Sequence, residues 1–396
     1  MRVMAGGALS GSKTRCGSGA FSFSLPPLLV NWMDVFALTR ALVDIESITN
    51  NEERVALYIR DWLRALATQY GGHVETMEVE PRRYNLFAQF GERLDVTLST
   101  HLDTVPPFVA SREDDAFIWG RGSCDAKGII ASMIHAAQAL LESGERNFGI
   151  LLVVGEERNS AGAFQAARTP RGSRYVINGE PTENKLALGS KGALRYELVA
   201  AGRMAHSAYP ELGDSAIHKL VDALALMRAI ALPVDPLLGA STLNVGTIHG
   251  GRAPNVIADE AKAEILIRLV GDSSETKQAL VSAAEGRAEL REVIEIPAIR
   301  LNPLDGIPTT VVAFTTDIPA LNGQWGEPFL IGPGSIHSAH TNDERVAKTQ
   351  LSEAVEIYIR MVKELCKRAS KQASWAPPEW WASISSNSCR ATRGSN

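Results

Sequence analysis

Four short apolar runs, each stopping on a charged or imidazole side chain, constrain this chain more than any other feature. "DVTLST" (95–100) runs into His101 and Asp103, and "GILLVV" (149–154) into Gly155, Glu156 and Glu157. "RYVIN" (174–178) runs into Gly179 and Glu180, and "PFLIGPG" (328–334) into "SIHSAHTNDE" with His337 and His340. Runs of this length, bounded by glycine and polar residues, read as buried strands. Helical segments precede and separate them. Val55, Tyr58, Ile59, Trp62, Leu63 and Leu66 recur at helical spacing, and "GIIASMIHAAQALL" runs up to Gly144. Strand alternating with helix predicts an α/β core with a largely parallel sheet. Ligands gather at the carboxyl ends of such strands, so residues far apart in sequence are predicted to converge there.

The rhythm changes between about Leu188 and Pro297. A strand ("ALRYELVAAG"), a helix ("DSAIHKLVDALALMRAI"), two strands ("STLNVGTIHG", "AKAEILIRLV"), a helix ("SETKQALVSAA") and a strand ("REVIEI") follow one another. That βαββαβ order predicts a ferredoxin-like second domain inserted into the first. The α/β texture then returns and closes with the helix "QLSEAVEIYIRMVKELCK". The expected division is a catalytic domain in two parts, 33–187 and 299–371, with the insertion at 188–298. Residues 1–32, rich in Gly and Ser and interrupted by Pro26 and Pro27, and the aperiodic 372–396 are expected to be disordered.

Composition narrows the function. A formal net charge of −5, spread without long like-charge runs, gives no footprint for nucleic acid or an anionic membrane surface. No apolar run reaches the roughly 20 residues of a membrane span. Four scattered cysteines (Cys16, Cys124, Cys366, Cys389) form no C-x-x-C pair and no disulfide framework, so a reducing cytoplasm is expected. Small-molecule chemistry is what remains.

His101 and Asp103 sit two apart at a strand end and so share a face. Taken alone, such a pair is as readily a simple hydrogen bond as part of a metal site. Recurrence at three other strand ends, with Asp125 in the loop "WGRGSCDAKG" before a helix, changes the balance. Two histidines and three or four carboxylates in one cleft are too costly to leave unpaired. A pair of divalent cations would neutralise them, and nitrogen and oxygen donors without thiolate suit zinc, with cobalt or manganese as alternatives. His135 lies inside an amphipathic helix, and His73, His218 and His249 have no acidic partner at metal spacing; all four read as structural or exposed. Cys124 lacks an activating base and reads as a packed residue. The glycine-rich loop lacks the G-x-x-x-x-G-K-[ST] spacing of a phosphate loop.

Six ordered segments, "STHLDTVP", "WGRGSCDAKG", "GEERNSAGA", "NGEPT", "GRMAHSAYP" and "GPGSIHSAHTNDE", resemble the successive motifs of the M20 metallopeptidase family, in particular its acetylornithine deacetylase and succinyl-diaminopimelate desuccinylase group. The likeness covers about Met33 to Lys371. It implies a zinc-peptidase-like catalytic domain and a lid that mediates homodimerisation. It also implies that His101 and Glu180 hold one metal, Glu157 and His340 the other, and that Asp125 bridges them. Asp103 would orient His101, and Glu156 would be the general base for a metal-bridging water. His340 fits the family's spacing to the "GPG" turn better than His337. His206 matches a residue that reaches the partner's active site to stabilise the oxyanion, and Asn255 and Arg268 match positions that contact the substrate carboxylate. Ala126 stands where the family commonly has methionine, and Cys124 lies beside the bridging position; neither removes a ligand. The implied reaction is hydrolysis of a small N-acylated amino acid. Carboxypeptidase or dipeptidase activity is the alternative within the family, and a non-catalytic binding protein is the reading from another class.

Overall fold

The computed structural model describes residues 33–374. Both stretches read above as disordered lie outside the described residues, except that the last helix continues through Ser374. A six-stranded sheet carries the four apolar runs. In chain order its first five strands are β1 (His73–Glu80), β2 (Arg83–Phe90), β3 (Val96–His101), β4 (Phe148–Val153) and β5 (Tyr175–Asn178). A second sheet follows, made of β6 (Gly192–Ala201), β7 (Thr242–Gly250), β8 (Glu260–Leu269) and β9 (Glu289–Ile296). The first sheet is completed by β10 (Glu327–Leu330).

Its order is β1-β2-β4-β3-β5-β10, with β4, β3, β5 and β10 parallel and β1 and β2 antiparallel at one edge. Every residue of β3, β4 and β5 is buried, which is why these strands read as continuous apolar runs rather than alternating ones. β1, "HVETMEVE", was not among the strands read from sequence. As an exposed edge strand it buries only Met77, and so carries little hydrophobic signal.

The helix Lys127–Glu142 is apolar nearly all round and packs against the closing helix Lys348–Ser374. Phe87, Leu151, Val176 and Trp325 form the core on one side of the sheet, with Phe87 edge-on to Trp325 at 5.4 Å. The Trp325 indole N–H donates to the Ala166 carbonyl at 2.9 Å, so this buried ring leaves no polar atom unpaired.

The second sheet has the order β7-β8-β6-β9, all antiparallel. Helices Ala216–Arg228 and Ser274–Ala284 cover one face over a core of its own that includes Leu198, Leu220, Ile265 and Leu280. This is the βαββαβ arrangement expected from the element order.

Phe87 is buried in the core beside Leu151, Val176 and Trp325. Replacing it with alanine is expected to cost about 3–5 kcal/mol, the usual range for a buried aromatic. Denaturant unfolding measures this, and a loss within experimental error of zero would contradict the packing described.

Candidate metal centre and active site

The parallel strands deliver their terminal residues to one place. His101, Asp125 and Glu180 offer ligand atoms all within 4.8 Å of one another, and so do Asp125, Glu157 and His340. Asp125 belongs to both groups. Its Oδ1 lies 2.9 Å from Nε2 of His101, and its Oδ2 lies 3.5 Å from Nε2 of His340. His340 is also 2.9 Å from a Glu157 carboxylate oxygen. The five residues come from four strand ends and one helix-leading loop, far apart in sequence.

Local backbone explains how the side chains are aimed. Gly155 has φ +82, a conformation that lets the chain turn sharply after β4 and present Glu156 and Glu157. A Cβ there would also meet Nη2 of Arg83 at 2.9 Å. His340 has φ +61, in the left-handed region that histidine visits more often than most residues.

Asp103 does something other than the spacing suggested. The Nδ1 of His101 is 3.0 Å from the backbone carbonyl of Asp103, while the Asp103 carboxylate is 3.6 Å away, beyond hydrogen-bond range. That carboxylate instead accepts the N–H groups of Gly155 (2.9 Å), Glu156 (3.1 Å) and Glu157 (3.3 Å) and the Thr49 hydroxyl (2.8 Å). The carbonyl fixes the His101 ring and the carboxylate fixes the turn bearing Glu156 and Glu157.

The electrostatics are those of too many carboxylates in too little water. Burial, then the charge of Glu180, pushes Glu156 well above the ordinary carboxyl range. Burial and the charge of Asp125 do the same to Glu180, and burial raises Glu157 despite its bond to His340. Asp125 is lowered, since the two histidines outweigh its burial. For His101, burial opposes the charged ring, but Asp103, Asp125 and Glu180 raise its pKa well above normal. Asp125 and Glu157 raise His340 to about 10. One oxygen of Glu180 is buried with no hydrogen-bond partner. An orphaned buried carboxylate oxygen among nitrogen and oxygen donors fits a pair of hard or borderline cations.

Other sequence-selected residues lie elsewhere. His337 is not in either ligand group and lines a separate hollow with Ser338 and Thr341. His206 is exposed, with Nδ1 accepting the Ala208 N–H, and Asn255 is exposed beside it, its carbonyl accepting the Ser207 N–H. Arg268, on β8, is half-buried; burial lowers its guanidinium pKa while the charge of Glu156 opposes.

Two buried carboxylates were missed. Asp317 has neither carboxylate oxygen hydrogen-bonded, and burial, with the charges of Asp103 and Glu157, pushes it up to about 7. The run "TTVVAFTT" before it gave no hint of its neighbours. Glu344 lies four residues after His340, inside a quoted motif, yet its partners sit more than 200 residues away.

Residues 97–364 match the family described as Peptidase family M20/M25/M40. The chain belongs to that peptidase family. An M20 peptidase domain-containing protein of Schizosaccharomyces pombe is 38% identical over 345 residues, covering 83% of this chain and 84% of its own. A probable carboxypeptidase of Aspergillus flavus is 34% identical, covering 84% and 91%. Among solved structures, a tripeptidase from Staphylococcus aureus superposes with a TM-score of 0.71 at 22% identity, covering 84% of this chain and 98% of that one, which establishes a shared fold. Membership of the M20 family makes the chain a hydrolase. No helix among the described residues is long and apolar enough to cross a membrane.

The raised groups set a pH dependence for the chain stripped of divalent ions. Glu156, Glu157, Glu180, His101 and His340 each bind a proton more tightly folded than unfolded, so stability falls as pH rises. The carboxylates act from their ordinary 4.5 upward, and His340 from 6.5 to about 10. Asp125 has the opposite sign, its contribution being lost below its ordinary 3.8. Chelator-treated protein is expected to melt at progressively lower temperature from pH 7 to pH 10. Zinc at 100 times its Kd should restore about 2.7 kcal/mol and release protons. A melting temperature indifferent to both pH and zinc would contradict this electrostatic picture.

Proposed function

We propose that the chain is a two-metal amidohydrolase that cleaves a small N-acylated amino acid into a carboxylate and a free amine. The observation that carries this reading is Asp125 offering one oxygen to the histidine of each ligand group. His101, Asp125 and Glu180 would hold one cation, and Asp125, Glu157 and His340 the other, zinc by donor type with cobalt as the alternative. When bound, such a pair polarises the scissile carbonyl and lowers the pKa of water from about 16 to about 7.

Glu156 neighbours a ligand residue without belonging to either ligand group, and its raised pKa suits a proton carrier. It takes the proton of the attacking water as the new carbon–oxygen bond forms, then delivers it to the amide nitrogen as the carbon–nitrogen bond breaks. Arg268 is the receptor for the substrate carboxylate, with Asn255 beside its path. Residues 188–298 act as the lid. β7 is an edge strand with most of its residues exposed, which suits pairing with a second copy, and His206 would then serve the partner's site to stabilise the oxyanion. Cys124 and Cys366 are free, in keeping with a reducing cytoplasm.

Removal of a C-terminal residue from a short peptide is the second reading, favoured by the relatives named probable carboxypeptidases. Both substrates place an amide next to a carboxylate-bearing residue, so the same machinery serves either. A panel of N-acetyl and N-succinyl amino acids against dipeptides and N-blocked dipeptides separates them. Cleavage of the acyl amino acids with dipeptides untouched supports the first reading, and the reverse pattern supports the second. Glu156→Gln is expected to keep its metal and lose turnover by roughly 10²- to 10⁴-fold. An active variant would remove Glu156 from the role of base.

A further inference from the structure

Glu344 is buried, 2% exposed, in the loop that follows His340. Its Oε1 accepts three backbone N–H groups of the loop that ends on Asp125: Gly122 at 2.9 Å, Cys124 at 3.1 Å and Asp125 itself at 3.1 Å. Its Oε2 is 2.5 Å from Nη1 of Arg121, which is equally buried. Gly122 has φ +87, a conformation that favours glycine, and a Cβ there would also crowd Thr104 and Lys127. One carboxylate thus ties the loop that supplies His340 to the loop that supplies Asp125, through charge-assisted bonds sheltered from water.

We infer that Glu344 is a positioning residue for the metal centre, setting the separation between Asp125 and His340 by gathering the Gly122–Asp125 backbone while pairing with Arg121. This rests on the two-metal reading above. It parallels what Asp103 does for Glu156 and Glu157, so two of the acidic loops of the site are each held by a carboxylate that lies outside both ligand groups. Neither the motif spacing nor the family match assigns Glu344 such a part.

The test measures zinc affinity against a competing chelator for the full chain and for its Glu344→Ala, Glu344→Gln and Glu344→Met variants, with thermal unfolding of each metal-free form. Alanine is expected to weaken zinc by about 10- to 100-fold, as loss of a group that orients ligands does. Glutamine keeps an oxygen for the three N–H groups and is expected to recover most of the affinity, whereas Glu344→Met, which fills similar space without that acceptor, is expected to stay as weak as alanine; recovery by methionine would mean a space-filling role and overturn the inference. Wild-type zinc affinity in a folded Glu344→Ala chain overturns the positioning role alone. Failure of all three variants to fold overturns it too, by making Glu344 a residue of the fold. A wild-type chain that binds no zinc overturns the two-metal reading and this inference with it.

Discussion

The structure depends on a concentration of like charge that the chain alone cannot relieve. Asp125, Glu156, Glu157, Glu180 and Asp317 are brought into one cluster, with two imidazoles among the described residues, His101 and His340. Carboxylates so buried either take up protons or take up cations, and the upward pKa shifts of Glu156, Glu157 and Glu180 express the first outcome. The sheet makes the crowding unavoidable. Strands β3, β4 and β5 are paired in register, so that His101, the Gly155 turn and Glu180 leave the same edge together. A fold that concentrates acids at that edge is organised around an opposite charge.

What surrounds the cluster is a set of anions used as scaffolding. Asp103 and Glu344 each collect three backbone N–H groups, and so fasten the two loops that carry site residues. Arg121 compensates Glu344. Lys127, itself buried, donates to the Ile45 carbonyl at 2.6 Å, and its burial lowers its pKa to about 8 while the charge of Glu344 opposes. The site is therefore built on backbone dipoles and buried charge rather than on flexible surface side chains, the kind of support that preorganises a reacting centre.

Much of this was legible in the sequence because the relevant signal is local. A buried parallel strand is a short, largely apolar run, and its end is marked by the first charged or imidazole residue, so His101, the Glu156–Glu157 pair and Glu180 announce themselves. The βαββαβ order of the second sheet was equally plain from alternating periodicities. Long-range pairing was not. The partners of Glu344 are set by how the final loop returns across the sheet, and Asp317 is linked to the cluster through space alone. The relation of Asp103 to His101 depended on a backbone turn after β3 that puts a carbonyl, not the carboxylate, against the ring. β1 was invisible because an edge strand facing water needs few apolar residues.

Five distant side chains would share two cations. Anomalous diffraction from crystals grown with zinc decides whether they do. Two peaks about 3.5–4 Å apart are expected, one bounded by His101, Asp125 and Glu180 and the other by Asp125, Glu157 and His340. A pocket without anomalous density, or zinc bound only at residues outside these two groups, would contradict that arrangement.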